Sequence, residues 1–487
     1  MREKVGSDMI DKNLDTRFAT WLKENRQGLL ADWIELVRIP SIRGEAAPNA
    51  PFGTECARAL EHSAALFAQR GIDVRVNKAD GYALAQIGGG KKRICLCGHS
   101  DVVPAGDGWL YTQPFEPVIR DGMLIGRGVS DNKSGIIASL CVLAMLRDCG
   151  VPVNSCVQAF VGSNEESGME DVIAFAQKEP MPDISLVPDS SFPCGLGEKG
   201  ILRMWAKCRR KLTAVREMKG GDAFNIVLDR VEAVLEPNDA LAKELQGKCA
   251  DDTYTLRVDT AGIYVTAKGV AKHAASPDGS VNAVWLMAKL LAGCENLPQQ
   301  DRTILGTVER FLSSHWGEGM EIDHWDSHFG RLTAVCGMVF LEDGHLKISL
   351  DSRYGTQCDP ASLERRLYTC FGEAGWEIVY MENRPGYLVD ETSPVPGLFS
   401  DIYTAMSGNA LPCYYMSGGT YARNLKNAFP VGNRTRHADW PEPTLVLPAG
   451  HGGAHQRDEA IHIDSFFLAV RILAQYVLAC DRLLNEQ

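Results

Sequence analysis

The sequence contains no Cys-x-x-Cys pair, no internal repeat and no low-complexity tract. Those absences argue against a zinc ribbon or thioredoxin-type motif, a solenoid or propeller, and a compositionally disordered chain. The longest apolar run, residues 135–146, falls short of the roughly 20 residues that span a bilayer and fits a buried helix. Positive charge is in deficit. Fifty Lys and Arg against 62 Asp and Glu give a net charge of −12. That balance is a poor footprint for nucleic acid or an anionic membrane, so neither is expected as a partner. Residues 1–15 mix acids with bases and lack an apolar h-region, so no secretory leader is expected. The 15 scattered cysteines read as reduced, mostly buried thiols of a cytoplasmic protein. Cys95 and Cys97, two apart on an apolar run, read as core packing on one side of a strand.

What is present is an ordinary globular composition: 487 residues, 45% hydrophobic and 23% charged. At roughly 100–200 residues per domain, two to four domains are expected. Residues 54–70 have apolar side chains at helical spacing and stop at Gly71, a glycine C-cap. Runs 72–76, 82–87, 93–97, 156–161 and 184–187 read as strands, and 134–146 and 169–177 as helices. Such alternation predicts an α/β layer with a largely parallel sheet. After about residue 200 the texture changes. Runs 201–207, 253–258, 263–268 and 344–354 read as strands, with helices at 281–292 and 360–372. That mixture predicts an α+β domain. From about residue 395 the chain returns to helix, a Gly-rich loop and a final helix at 463–484. The expected architecture is one α/β domain, residues 1–200 and 386–487, interrupted by an insertion over residues 201–385.

Ligands in open α/β sheets bind beyond the carboxyl ends of the strands. Here the 93–97 run leads into Gly98-His99-Ser100-Asp101. The 156–161 run leads into Gly162-Ser163-Asn164-Glu165-Glu166, and the 184–187 run into Pro188-Asp189. Between them, Gly126-Arg127-Gly128-Val129-Ser130-Asp131 precedes the buried helix, and Gly450-His451-Gly452-Gly453-Ala454-His455 adds imidazoles near the C-terminus. Each has a plain alternative: a structural histidine, a surface acid pair, an N-cap at Asp131 or a turn at Asp189. Their repetition at consecutive strand ends points to a cation, because clustered carboxylates repel without one. Histidines and carboxylates without nearby cysteine suit zinc or a similar divalent ion. Five candidate ligands exceed what one open catalytic zinc needs, and suit two ions sharing a carboxylate. Gly195-Leu196-Gly197-Glu198-Lys199-Gly200 is a literal G-x-G-x-x-G, but a strand-like run follows it where a dinucleotide site requires a helix.

The stretch from Gly98 to Trp109, with Gly126-Arg127-Gly128, Asp131, Glu165-Glu166, Asp189 and His455 followed by Asp458-Glu459, resembles the motifs of the di-zinc metallopeptidase superfamily. That group holds carboxypeptidase G, aminoacylase, succinyl-diaminopimelate desuccinylase and the dipeptidases. The Pro-Ala-Gly-Asp-Gly-Trp form, the long insertion and Gly418-Gly419-Thr420-Tyr421-Ala422-Arg423 are most similar to the dipeptidase V, carnosinase-like branch. The resemblance implies a phosphorylase/hydrolase-like three-layer αβα catalytic domain with an inserted α+β, ferredoxin-like lid.

It also implies roles. His99 and Asp189 would hold one metal, Glu166 and His455 the other, and Asp131 would bridge them. Asp101 would orient His99, and Glu165 would be the general base. His273 would stabilise the tetrahedral oxyanion, while Asn225 and Arg423 would bind the substrate, Arg423 through its C-terminal carboxylate. His451 is the rival to His455. The family usually has a second acid after the bridging Asp, where this chain has Asn132. The implied function is hydrolysis of dipeptides through a metal-bound hydroxide, with two divalent ions, zinc first and manganese or cobalt as alternatives. An N-acyl amino acid deacylase or carboxypeptidase is the alternative reading, and a non-catalytic scaffold a remote third. A monomer is expected, with a homodimer as the alternative.

Overall fold

A computed structural model describes residues 10–249 and 252–486. Residues 1–9, part of the stretch read as no leader, lie outside the described residues. The chain divides into two compact units. One comprises Met1–Leu196, Val389–Tyr414 and Thr420–Gln487; the other comprises Gly197–Leu388 and Tyr415–Gly419. The boundaries thus fall a few residues from the expected ones, and the short 415–419 segment goes with the inserted unit.

The first unit is built on six strands: β1 (Asp73–Asn77), β2 (Tyr82–Ile87), β3 (Arg93–His99), β4 (Cys156–Gly162), β5 (Ile184–Ser190) and β6 (Ala428–Gly432). Their order is β1-β2-β4-β3-β5-β6. Strands β4, β3, β5 and β6 run parallel, and β2 and β1 add antiparallel at one edge. Central β3 is buried on both faces, as a parallel strand with two neighbours must be. Cys95 and Cys97 sit within it, sulfurs 3.5 Å apart on the same side.

Among the described residues, six α-helices belong to this unit: α1 (Lys12–Val37), α2 (Thr54–Gln69), α3 (Lys133–Asp148), α4 (Glu170–Lys178), α5 (Val395–Ser407) and α6 (Ile463–Asn485). Helix α2 ends where the sequence predicts, with Gly71 at a φ of 68° that a side chain would resist. Helix α3 connects β3 to β4, and α4 connects β4 to β5 on the far side of β3. Parallel crossovers are right-handed, so steps in opposite directions place their helices on opposite faces of the sheet. That reversal makes three layers, and leaves a crevice beyond the carboxyl ends of β3, β4 and β5. Helix α6 is long and apolar enough to cross a membrane, with a mean hydropathy of 1.6, yet 89% of that apolar stretch is buried in the fold. It packs against α3 and α5 as a core helix.

The second unit has a nine-stranded antiparallel sheet, including Gly200–Lys211, Arg230–Leu235, Gly262–Lys268, His345–Tyr354 and Trp376–Arg384. Helices Asp239–Lys248, Ala283–Ala292, Gln299–Phe311 and Pro360–Glu373 contribute to its own apolar core. The unit is α+β, and its sheet is larger than the four strands of a single ferredoxin-like repeat. The G-x-G-x-x-G run passes from strand Gly195–Glu198 into strand Gly200–Lys211, and no helix follows it.

Candidate metal centre

Three strand ends and two loops bring the polar residues together. His99 closes β3, Glu165 and Glu166 follow β4, and Asp189 lies near the end of β5. Asp131 precedes α3, and His455 comes from the loop before α6. His99 is buried, with Nδ1 3.0 Å from the carbonyl oxygen of Asp101. A proton on Nδ1 satisfies that contact and leaves Nε2 facing the acids, where loss of its proton would free a lone pair for a cation. Nε2 lies 3.3 Å from Asp131 Oδ1, 3.5 Å from Asp189 Oδ2 and 4.0 Å from Glu165 Oε2, with no hydrogen-bond partner.

The other oxygen of Asp131 faces a second imidazole. Asp131 Oδ2 is 3.1 Å from His455 Nε2, which is also 3.1 Å from Glu166 Oε2. One carboxylate therefore divides its two oxygens between two histidine groups. Ligand atoms of His99, Glu165 and Asp189 lie within 4.8 Å of one another, as do those of His99, Asp131 and Glu166. This grouping places Glu165 within ligand reach as well. The donor set, the unpartnered His99 Nε2 and the unpartnered Glu165 Oε1 fit hard or borderline divalent ions. His451 is placed elsewhere: its Nδ1 is 2.5 Å from Asp458 Oδ2.

The electrostatics follow from crowding acids in a buried place. Burial, then the neighbouring acids, holds Glu165 well above the usual carboxylate range. Burial and Asp131 raise Glu166 to about 7 against the opposing pull of His455. Burial and Asp131 raise Asp189 to about 6. Burial would lower both histidines, but their carboxylate partners outweigh it: His99 rises well above its ordinary value and His455 rises to about 11.

Supporting residues set these positions. Asp101 accepts the backbone N–H of Glu165 on one oxygen and that of Glu166 on the other, each at 3.0 Å. It thereby aims the two acids as well as His99. Asn132 Nδ2 donates to Asp189 Oδ1 and to the carbonyl of Pro188, both at 2.7 Å, and its Oδ1 accepts His99 N–H at 3.3 Å. This close approach requires Gly98, where an added Cβ would meet Asn132 Oδ1 at 2.9 Å. Glu459 is fully buried and accepts the N–H groups of Gly128, Ser130 and Asp131 at 2.8–3.0 Å. It also pairs with Arg127 at 2.8 Å. The other Arg127 nitrogen, Nη2, reaches the carbonyls of Ala105 and His455. One ion pair thus fastens the Asp131 loop to the His455 loop.

The remaining candidates are placed in two locations. Arg423 lies on the turn Tyr421–Asn424 of the first unit. The adjacent Tyr421 meets the His99 ring edge-on at 6.1 Å and donates to Asp171 at 2.5 Å. Asn225 and His273 lie in the second unit, their side chains 3.4 Å apart. His273 Nδ1 accepts the N–H of Ala275, which fixes the ring with Nε2 toward the Asn225 amide. Arg127, Asn132 and Glu459 lie within or beside the motifs, yet the sequence carries no local signal for the contacts by which they position the site.

A sequence model described as "Peptidase family M20/M25/M40" matches residues 95–479. The chain belongs to that family. A Bacillus subtilis relative named "Putative dipeptidase YtjP" is 26% identical over 470 residues, covering 93% of this chain and 97% of the relative. The M20-family fold recurs in the di-peptidase Dug1p of Saccharomyces cerevisiae, with a TM-score of 0.59, 14% identity and 96% and 98% of the two chains covered. It recurs also in human carnosine dipeptidase 1, with a TM-score of 0.58, 15% identity and 97% and 99% covered. Members of this family are metallopeptidases with a catalytic domain and a lid domain, and the chain is accordingly a peptide hydrolase that uses divalent metal.

Proposed function

We propose that the protein is a dipeptidase that holds two divalent ions, zinc in preference to manganese or cobalt, and acts on short peptides with a free C-terminal carboxylate. The observation that carries this reading is the split of Asp131 between His99 and His455. It provides two adjoining ligand groups joined by one carboxylate. His99 and Asp189 would hold one ion, and Glu166 and His455 the other. Ions bound there would supply Lewis acidity toward the scissile carbonyl and toward water. Glu165 has a carboxylate oxygen without a partner and sits beside the ligands. It takes the proton from the attacking water and delivers it to the leaving amine. Asp101 fixes the direction of Glu165 by holding its backbone N–H. An N–H of the His273 ring would be a donor suited to the tetrahedral oxyanion, and Asn225 beside it would bind the substrate. Arg423 supplies a planar fork for the substrate carboxylate.

The dipeptidase names of the relatives support this substrate class. The scattered, mostly buried cysteines support a reducing, cytoplasmic setting, and we propose a monomer in solution. A panel of dipeptides, tripeptides and N-acetylated or N-succinylated amino acids, assayed with added zinc or manganese, tests the proposal. Free dipeptides should be the preferred substrates by kcat/KM. Preference for the acylated amino acids would overturn the dipeptidase assignment in favour of a deacylase.

A further inference from the structure

Two cysteines outside the metal centre face each other. Cys194 and Cys413 place their sulfurs 3.5 Å apart, although 219 positions separate them in the chain. The backbone aligns the two segments, with Tyr414 N–H donating to the Cys194 carbonyl at 3.2 Å. Cys194 is fully buried, whereas Cys413 is partly exposed and also meets the Ser400 hydroxyl at 3.3 Å. One thiol is therefore reachable by a small oxidant while its neighbour is shielded behind it. That is the arrangement of an attacking and a resolving cysteine. The contacts also favour charge on the reachable sulfur. Hydrogen bonds from the Cys194 thiol and the Ser400 hydroxyl outweigh burial and bring Cys413 down to about 6, while Cys194 is pushed up.

The location gives a crosslink a consequence. The chain leaves the first unit after Leu196 and again after Tyr414. Cys194 and Cys413 stand just before those two crossings. The hydroxyl of Tyr414 also accepts the N–H of Ser191, donates to its carbonyl, and lies 2.9 Å from the hydroxyl oxygen of Ser190, the residue immediately after Asp189. A bond between the sulfurs would lock covalently two connecting segments that already pair side by side through hydrogen bonds, close in sequence to a ligand.

We propose that Cys194 and Cys413 form a reversible, peroxide-driven disulfide that slows turnover. The Cys413 thiolate attacks hydrogen peroxide, forming a sulfenic acid and releasing hydroxide. The Cys194 thiol then attacks the sulfenic sulfur, forming the disulfide and releasing water. Two thiol hydrogens and one peroxide are consumed, and two waters result once the hydroxide is protonated. A dithiol reductant reverses the bond by exchange.

The test treats the metal-loaded full chain with hydrogen peroxide, blocks remaining thiols under denaturing conditions, and maps peptides by mass spectrometry. The expected result is a linked Cys194–Cys413 peptide pair, two hydrogens lighter, that dithiothreitol separates. Recovery of both cysteines unlinked while other thiols oxidise would overturn the site. Hydrolysis measured in parallel should fall at least threefold as the crosslink accumulates and recover on reduction. Cys413→Ser should keep untreated turnover and lose the peroxide sensitivity; equal inhibition of this variant, or full turnover of crosslinked protein, would overturn the regulatory role. The turnover arm rests on the proposed dipeptidase activity, whereas peptide mapping does not, so the two can fail separately.

Discussion

The side-chain amide of Asn132 donates a 2.7 Å hydrogen bond to Oδ1 of Asp189. The other Asp189 oxygen faces Nε2 of His99. Asn132 thus occupies one lone pair of a candidate ligand and leaves the other oxygen for a cation. Contacts of this kind fix ligand orientation, and their loss costs about 10–100-fold in metal affinity or activity. Asn132→Leu, which removes both donors to Asp189 and Pro188, should lower zinc affinity by about that factor in a competition titration. Asn132→Asp can supply a donor only while protonated. Its deficit should therefore be small at mildly acid pH and grow toward pH 8. A pH-independent deficit in the Asp variant would argue against the donor role.

Asp101 joins two strand ends, because its carboxylate accepts the N–H groups of Glu165 and Glu166 from below the following turn. Asp101→Ala frees both amides and the neighbouring His99. Its kcat should fall by about 10²-fold or more, a magnitude typical of misplacing a reacting group by an ångström. Asp101→Asn keeps one acceptor oxygen and should retain an intermediate rate.

Glu165→Gln removes proton transfer while preserving shape. The variant should bind metal close to the wild-type stoichiometry and lose about 10²–10⁴-fold in kcat, the usual contribution of a general base. Inductively coupled plasma measurement of metal, beside steady-state kinetics, separates the two effects. Near wild-type turnover with metal bound would remove Glu165 from the mechanism.

Glu459 and Arg127 form an ion pair with both side chains only 1% exposed. Breaking one partner of such a pair leaves a buried charge unbalanced. Glu459→Gln should therefore destabilise the protein by about 3–5 kcal/mol, read as a lower denaturation midpoint in urea. The same change loosens the loop carrying Asp131, so metal affinity should fall with it.

The strand ends of the first unit were legible because parallel, doubly buried strands are written as apolar runs that stop at polar residues. His99, Glu165 and Asp189 each follow such a run. Strand β6 was not legible: Pro430 lies within it, and proline is tolerated there because β6 pairs only with β5 at the sheet edge. Helix Gln299–Phe311 was missed because its core face is a narrow stripe of Ile304, Leu305, Val308 and Phe311 among polar residues. The site's supports were hidden for a different reason. Glu459 meets Ser130 across 329 positions, and Asn132 meets Asp189 across 57. No local pattern records such pairings, whereas a ligand at a strand end carries its own local signal.

The metal-free site should make stability fall as pH rises. Glu166 is raised to about 7 and Asp189 to about 6, so the unfolded chain releases these protons first, near 4, while the fold retains them. Stability is then lost as pH climbs toward those values. His455, raised to about 11, acts in the same direction above its unfolded value, because the fold keeps a proton that the unfolded chain sheds. Metal reverses the balance. Ligands must give up their protons to bind it, so affinity increases over the same window. The gap in melting temperature between metal-loaded and chelator-stripped protein should therefore widen from pH 5.5 to pH 8. Titration calorimetry at pH 6 in buffers of different ionisation enthalpy should show protons released on binding. A gap that narrows with pH, or binding without proton release, would mean that these carboxylates and His455 are not the groups that receive the metal.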